Sequence, residues 1–272
     1  MKIAIAFFGI PRCSKKSYPS IKEQIIEHLP PGAKTKCFYH FYEQKEVVNA
    51  RSGEEGELDQ TNYVYFEKFA GILEKPDDAF KKTPFEKAKK FGNAWSRDIE
   101  DFSTLRNLLL QLRSLKKVTK LVESFEPDCV FFVRPDLLYH EPIPDYYYNL
   151  SKNSINSIFV PGWQWGAGIN DRFAIANKDS YQVYGYRIDE AMNYCKTSNH
   201  SLHSERLLKW VLLKKKVKIF ILQATASRVR INGEIIKENF GTRTSFLSAL
   251  TNRRKRFLYH AQWKTRLKIF FS

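Results

Sequence analysis

One apolar run followed by two opposite charges constrains the fold of this chain more than any other stretch. Cys129 to Val133 are five consecutive apolar residues rich in β-formers, which is the pattern of a strand buried on both faces of a largely parallel sheet. Arg134-Pro135-Asp136 follows, and the strand ends there because proline cannot donate a hydrogen bond to a neighbouring strand. Open α/β sheets bind ligands at the carboxyl ends of their strands, so we expect Arg134 and Asp136 to lie at a binding site, and a surface salt bridge beside a turn is the competing interpretation.

The rest of the chain alternates strands with helices and predicts an α/β domain with a mostly parallel, Rossmann-like central sheet flanked by helices. Lys2 to Ile10 predicts the first strand, and Phe102 to Phe125 the clearest helix, because its apolar residues recur at three and four positions. The other predicted strands are 36–42, 156–160, 172–176 and 217–222, and the other predicted helices are about 19–28, 179–195 and 203–216.

Polar and basic segments set the predicted domain organisation. Residues 49–60 are predicted as a solvated loop, and residues 74–92 are polar and interrupted by Pro76 and Pro84. We predict one domain over residues 1–250, within which residues 49–92 form an irregular insertion, and a separate basic amphipathic tail over residues 251–272.

The charge of the chain indicates an anionic partner. The formal net charge is +16, and residues 251–272 contribute seven Lys or Arg, no acid and five aromatic residues. A basic, aromatic, helical segment of this kind is typical of an element that lies on a membrane surface, and a solvated terminus is the competing interpretation. Nucleic acid ranks third, because no known nucleic-acid-binding motif accompanies the charges.

The cysteines and the N-terminus bear on the compartment. The four cysteines are far apart and form no CxxC pair, so we expect a reducing compartment without a disulfide framework or zinc site. No run reaches 18 apolar residues, and the first residues are better explained by a strand than by a signal peptide. The expected location is cytoplasmic, with peripheral membrane contact through the tail.

Two motifs in the first half of the chain are candidates for binding phosphate or a nucleotide. In Gly9-Ile10-Pro11-Arg12, the glycine permits close approach of a ligand and the arginine suits a phosphate. An ordinary turn between a strand and a loop is the competing interpretation of these four residues. On the long helix, Asn107, Gln111 and Ser114 form one polar stripe, which is either a solvated face or a face turned towards a nucleotide.

Two motifs in the second half carry candidates for sugar binding and catalysis. The glycine-rich loop with Trp163 and Trp165 continues into Asn170-Asp171-Arg172, and its aromatic rings either stack on a sugar or base or pack in a hairpin. At a predicted helix start, His203-Ser204-Glu205 places a carboxylate that is either a general base or an acid that complements the helix dipole.

Taken in order, these motifs resemble those of small GT-A-like glycosyltransferases encoded in bacterial capsule and O-antigen clusters, with relatives in large DNA viruses. The resemblance spans about residues 1–223 and excludes residues 49–92 and the tail. The matching stretches are Phe7–Arg12, Phe38–Phe41, Asn107–Ser114, Asp128–Leu137, Asn170–Phe173 and Ser204–Leu208.

The resemblance implies a GT-A-like fold that binds a nucleotide-sugar donor and transfers its hexosyl or pentosyl group to a hydroxyl of a growing glycan, as in polysaccharide biosynthesis. It also implies Mn²⁺ or Mg²⁺ held by an Asp-x-Asp motif. Arg134-Pro135-Asp136 occupies that place with one carboxylate. Asp136 is therefore the candidate metal ligand, and Arg134 is an alternative source of positive charge.

Roles for the candidate residues follow from the motifs and the resemblance together. We assign general base catalysis to Glu205, if the transfer inverts, with Asp171 second. Two functions of other classes compete: a non-catalytic nucleic-acid-binding protein, and an enzyme that hydrolyses or modifies nucleotide sugars. The binding residues are, for the donor, Gly9, Pro11, Arg12, Asn107, Gln111, Arg134 and Asp136, and for the sugar or acceptor, Trp163, Trp165, Asn170 and His203.

Overall fold

A seven-stranded sheet organises the part of the chain that this computed structural model describes, residues 1–49, 51–94 and 102–240. The described strands are β1 (Lys2–Gly9), β2 (Lys34–Tyr42), β3 (Glu46–Asn49), β4 (Glu54–Glu57), β5 (Ala70–Glu74), β6 (Cys129–Val133), β7 (Leu137–Tyr139), β8 (Ser157–Pro161), β9 (Ala174–Asn177), β10 (Lys218–Leu222) and β11 (Ala226–Arg228). The described helices are α1 (Ser14–Gln24), α2 (Pro76–Phe80), α3 (Phe85–Lys89), α4 (Ser103–Glu123), α5 (Tyr146–Asn153), α6 (Tyr181–Gly185), α7 (Ala191–Ser198) and α8 (Ser204–Lys214).

The order of the main sheet is β10-β8-β9-β6-β1-β2-β5, and β9 runs antiparallel to both of its neighbours. Every other neighbouring pair of this sheet is parallel. The predicted fold class is therefore confirmed: the protein is α/β, with a mostly parallel central sheet flanked by helices. The predicted buried strand, β6, lies at the centre with all five residues buried.

Helices cover both faces of the sheet because its central strands are apolar on both sides. On β1, the odd-numbered residues from Ile3 to Phe7 cluster with side chains of α1 and α5, whereas the even-numbered residues from Ala4 to Phe8 cluster with α4, α6 and α8. Alternation of this kind follows from the two-residue period of a strand. Because α1 follows β1 and α8 precedes β10, both helices start at the edge at which the parallel strands end.

Two predicted helices have different boundaries in the structure. The first begins at Ser14, five residues before Pro19, which lies inside α1 and was expected to mark its start. The helix predicted at 179–195 is divided into α6, a 3₁₀ turn at Arg187–Glu190 and α7. The first of these helices, α6, ends at Gly185, where a Cβ atom would overlap the Thr119 side chain of α4.

The segment 49–92 is more regular than predicted. Antiparallel β3 and β4 form a hairpin, β5 extends the main sheet beside β2, and two short helices follow. Glu54 within this hairpin is buried, which corrects the expectation of a fully solvated loop. The sequence pattern missed β5 because it is the edge strand of the sheet and most of its residues are exposed.

The end of the described chain returns to the carboxyl edge of the sheet. β11 pairs antiparallel with β7, and Val229 bridges to Ile235. The predicted tail at 251–272 and the predicted domain boundary lie outside the described residues and stay predictions. No helix in the described ranges is long and apolar enough to cross a membrane.

Candidate active site at the carboxyl edge of the sheet

Asp136 lies between two arginines just beyond the end of β6. Arg134 donates from Nε to Asp136 Oδ1 at 2.9 Å and from Nη2 to Oδ2 at 2.6 Å. Arg12, from the loop after β1, donates to the same Oδ2 atom. Val229 of the returning segment donates its backbone N–H to the Asp136 carbonyl at 2.9 Å. The β1 and β6 motifs therefore meet, as their adjacent parallel strands require.

The two arginines keep Asp136 ionised. Burial alone would raise the pKa of this carboxyl group, because its side chain is only 2% exposed, but the charges of Arg134 and Arg12 outweigh burial and lower the pKa to about 2. The carboxylate is thus a fixed anion that orients two guanidinium groups.

Asp136 does not fit the metal site that the resemblance implies. Both of its carboxylate oxygens already accept hydrogen bonds from guanidinium groups, and those cations would repel a divalent ion. Among the described residues, no group of three His, Cys, Asp or Glu side chains is placed to hold a metal ion. These contacts do not support Asp136 as a metal ligand, so that assignment stays a prediction, and we derive no chemical step through a metal.

Residues 228–240, named here the crossing segment, run across the carboxyl edge of the sheet and contribute two more arginines. Arg230 donates to Glu54 Oε2 of the β3–β4 hairpin at 2.9 Å, and the Ile231 backbone N–H donates to Glu54 Oε1 at 2.9 Å. The Nε atom of Arg12 lies 3.6 Å from Glu54 Oε1. The buried Glu54 carboxylate thereby links the hairpin, the crossing segment and the β1 motif.

A second buried carboxylate, Glu238, anchors the other end of the crossing segment. Arg228 donates from Nε to Glu238 Oε1 at 2.7 Å, and Arg172 Nη1 lies 3.1 Å from the same oxygen. Gln164 donates to Glu238 Oε2 at 2.8 Å and accepts from Arg172 at 2.6 Å. Burial, together with the nearby charges of Arg228 and Arg134, lowers the pKa of Arg172 to about 10 against the opposing charge of Glu238.

Glu205, in the first turn of α8, is the titratable group in this region best suited to move a proton at neutral pH. Burial and, to a smaller extent, the charge of Asp171 raise its pKa to about 7, against a hydrogen bond from the Ala167 backbone and the charges of Arg172 and Arg51. The glycine-rich loop packs directly on this turn: the Ile169 N–H donates to the Glu205 carbonyl at 3.2 Å. A half-buried carboxyl group with this pKa fits a general base.

Asp171 is held in place from three sides. Arg187, whose side chain is fully buried, lies with Nη2 at 3.3 Å from Asp171 Oδ2, and Ser204 donates its hydroxyl to the same oxygen. Tyr184 donates its hydroxyl to the Asp171 carbonyl at 2.9 Å. A carboxylate bound in this way orients its neighbours, so Glu205 stays the preferred prediction for the general base and Asp171 the second.

The aromatic and polar candidate residues of the glycine-rich loop mostly make hydrogen bonds that hold the loop in its conformation. Trp163 is buried and donates from Nε1 to the Ala224 carbonyl at 2.8 Å, and Trp165 donates to the Pro161 carbonyl at 2.5 Å. Asn170, also buried, donates to the Trp163 carbonyl at 2.9 Å and accepts from the Arg172 backbone at 3.0 Å. Their assignment to sugar binding stays a prediction, with half-buried Trp165 the better placed of the two tryptophans.

The polar stripe of α4 faces the ends of the neighbouring strands rather than open solvent. Ser114 accepts from the Gly9 N–H at 3.0 Å and donates to the His40 carbonyl at 2.7 Å. Asn107 donates to the Val48 carbonyl at 3.1 Å, and Gln111 is half-buried between them on the helix. Gly9 has φ of +104°, and a Cβ there would meet no atom within 4 Å. Space beside a strand end is compatible with its predicted donor role.

His203 and Pro11 lie in the same region but are buried. Burial and the charge of Arg206 together lower the pKa of His203 to about 4, so the ring is neutral at pH 7. Pro11 shapes the turn between β1 and Arg12. The sequence interpretation missed Arg51, Glu54, Arg228, Arg230 and Glu238. The alternating Arg228-Val229-Arg230 pattern was a usable signal, because it places two arginines on one side of an extended chain.

Comparisons with known proteins find distant likenesses to solved structures at low sequence identity. No family model matches the sequence, and no curated protein matches it. Mouse xyloside xylosyltransferase 1 in its apo form superposes with a TM-score of 0.46 at 10% identity, covering 82% of this chain and 85% of that one. The galactosyltransferase LgtC, in complex with donor and acceptor sugar analogues, gives 0.39 at 9% identity, covering 81% and 73%. At these TM-scores, neither likeness supports an assignment of activity or of site residues.

Proposed function

We propose that this protein is a glycosyltransferase that moves a sugar from a nucleoside-diphosphate sugar to a hydroxyl group of a glycan. The observation that carries the proposal is the placement of Glu205, with a pKa of about 7, within the electrostatic reach of Arg172 and Arg51 at the carboxyl edge of the sheet. A base poised near neutral pH beside a cluster of cations matches a reaction that takes up a proton and releases an anion.

In this proposal, Glu205 takes the proton of the acceptor hydroxyl. The hydroxyl oxygen then forms a bond to the anomeric carbon of the donor sugar, and the bond from that carbon to the diphosphate oxygen breaks. The diphosphate leaves with the electron pair of the broken bond. A base that acts directly on the acceptor in this way implies an inverting transfer.

The growing negative charge of the leaving group has to be stabilised electrostatically. Arg134, oriented by Asp136, is the arginine of the sequence motif that we assign to this role, and Arg12 supports it. Gly9 and the α4 stripe of Asn107 and Gln111 flank the same edge and are proposed to contact the nucleotide.

The setting of the activity is also part of the proposal. We propose that the acceptor belongs to a growing surface polysaccharide or glycoprotein glycan, and that the transferred group is a hexose or a pentose. Residues 251–272 would hold a cytoplasmic enzyme at a membrane surface through their basic and aromatic residues.

The test is to measure nucleoside diphosphate release from a panel of nucleotide sugars, with and without glycan acceptors, between pH 5 and 9. We expect acceptor-dependent release whose kcat/KM rises with pH up to about 7 and then levels off. Glu205→Gln should lower kcat by about a hundredfold or more and remove this rise.

The matched control is Glu27→Gln, which removes one exposed carboxylate outside the site and should leave the profile unchanged. Sugar release that does not depend on an acceptor would support a nucleotide-sugar-hydrolysing enzyme instead. Binding of oligonucleotides with a steep salt dependence, together with no response to any nucleotide sugar, would support a nucleic-acid-binding protein.

A further inference from the structure

We propose that Arg134, Arg172 and Arg228 bind the donor diphosphate together, and that this arginine cluster replaces the divalent metal. The inference rests on the proposed function and adds to it a set of binding residues and a requirement that can be tested without measuring catalysis. Of the three arginines, the sequence motifs assigned a donor-binding role to Arg134 alone.

The first support is the charge balance of the buried network. Among the described residues, the ion pairs of this network join five arginines to three carboxylates, so the network itself carries two more positive than negative charges. Concentrated cations in a partly buried region are costly without a counter-anion. A diphosphate would supply the missing negative charge. The arginines are Arg12, Arg134, Arg172, Arg228 and Arg230, and the carboxylates are Glu54, Asp136 and Glu238.

The second support is that buried donors in the network lack acceptors. Nη1 of Arg172 is buried and makes no hydrogen bond of good geometry among the described residues, although it lies 3.1 Å from a Glu238 oxygen; Nε of Arg12, next to the three proposed arginines, is likewise buried without such a bond, 3.6 Å from a Glu54 oxygen. Buried N–H groups are almost always hydrogen-bonded in proteins. Phosphate oxygens are strong acceptors, and guanidinium groups bind them through paired hydrogen bonds.

The third support is the way the arginines are held. Asp136 fixes Arg134, and Glu238 fixes Arg228 and Arg172 from behind; both carboxylates are only 2% exposed. The arginine side chains are more exposed, at 18% for Arg134 and 28% for Arg228. The buried carboxylates therefore hold the more accessible guanidinium groups in place, and these groups can bind an anion without rearranging. A metal ion would instead need carboxylate oxygens that are accessible to it.

The face of Trp163 further restrains one of these arginines. The guanidinium carbon of Arg172 lies 4.7 Å from the centroid of the Trp163 ring, within the range of a cation–π contact. Stacking leaves the edges of a guanidinium group free to donate hydrogen bonds. This contact gives the buried Trp163 a positioning role for Arg172.

The experiment measures binding of UDP and GDP to the full chain by titration calorimetry and thermal shift, in EDTA and in Mn²⁺. We expect at least one diphosphate to bind and to raise Tm in EDTA, with an affinity within about threefold of that in Mn²⁺. The nucleoside monophosphates should bind more weakly, because they supply less charge. Binding that requires Mn²⁺ would overturn this inference and leave the proposed function standing. No binding of any nucleotide or nucleotide sugar in either condition would overturn both.

Variants test which arginines are responsible. Arg172→Gln and Arg228→Gln should each weaken diphosphate binding by about tenfold or more, the usual effect of losing a hydrogen bond from a charged donor. Lys120→Gln, which removes an exposed charge on α4, is the matched control and should bind as the wild type does.

The double variant Arg172→Gln/Glu238→Gln guards against loss of the fold, because it removes the buried charge together with its partner. It should fold and bind diphosphate weakly, and Glu238→Gln alone should also bind more weakly than the wild type, because Arg228 and Arg172 lose the carboxylate that holds them. Wild-type affinity in both single arginine variants and in the double variant would overturn the assignment of Arg172 and Arg228.

Discussion

Gly168 is the residue whose identity the local geometry restricts most directly. An added Cβ atom would overlap the backbone carbonyl of Glu205, at the start of α8. Backbone atoms in a helical turn cannot move aside cheaply, so this position requires glycine for a close approach rather than for an unusual φ angle. The glycine-rich loop thereby sets the position of the proposed base.

We expect Gly168→Ala to lower the free energy of unfolding by about 1–3 kcal/mol, the typical cost of forcing extra atoms into a packed site. It should also lower kcat, because it displaces Glu205. The matched control is Gly166→Ala in the same loop, where an added Cβ meets no atom within 4 Å. Urea unfolding of both variants checks the prediction, and equal stabilities would contradict it.

Among the elements, the β3–β4 hairpin and the crossing segment depend on each other. The hairpin supplies Glu54, which is 4% exposed, and the crossing segment supplies its partners Arg230 and Ile231. Lys16 of α1 donates to the Gly233 carbonyl at 2.7 Å and holds the same segment from the other side. The crossing segment, which borders the candidate site, is thus bound both to the hairpin and to α1.

We expect Glu54→Gln to cost about 2–4 kcal/mol of stability, because it leaves Arg230 and Arg12 without their shared counter-charge in a buried region. Glu57→Gln in the same hairpin, at an exposed position, should change stability by less than about 0.5 kcal/mol. Chemical unfolding measures both effects. Hydrogen exchange should also show faster opening of residues 228–236 in Glu54→Gln. Unchanged exchange there would argue against a stabilising interaction between Glu54 and the crossing segment.

At the scale of the whole molecule, two histidines and one glutamate with shifted pKa values make the stability of the fold depend on pH in opposite directions. Burial lowers the pKa of His40 to about 4, against the opposing charge of Glu74, and His203 is lowered to a similar value. The folded state therefore binds fewer protons than the unfolded state between about pH 4 and 6.5, so stability rises with pH across that window. Glu205 acts oppositely: its raised pKa makes stability fall as the pH rises from about 4.5 through 7.

We expect Glu205→Gln to leave stability at pH 4 nearly unchanged and to raise it at pH 8. The gain is at most about 3 kcal/mol, and less to the extent that water reaches the side chain. Urea unfolding at intervals from pH 4 to 8 measures the difference between variant and wild type. A difference that does not grow with pH would contradict the raised pKa of Glu205.

Strong local patterns made much of the fold predictable. β6 and α4 were predicted almost to the residue, because a fully apolar run and a long helical repeat each permit one interpretation. The start of α1 was missed because its first N–H, at Ser14, donates to Asn62, 48 residues away in sequence, at 2.6 Å. A helix start stabilised by so distant a partner leaves no local signal.

The candidate site, like the fold, has features that the sequence predicted and features that it did not. The sequence by itself determined that Arg12, Arg134, Asp136 and Glu205 would lie at strand and helix ends on one edge of a parallel sheet, because periodicity and proline placement are local properties. Only the tertiary structure decided that Asp136 binds arginines instead of being free for a metal, and that the crossing segment adds Arg228 and Glu238. The physical reason is that pairing among buried charges depends on which distant segments meet, and burial, which sets each pKa, exists only in the folded chain.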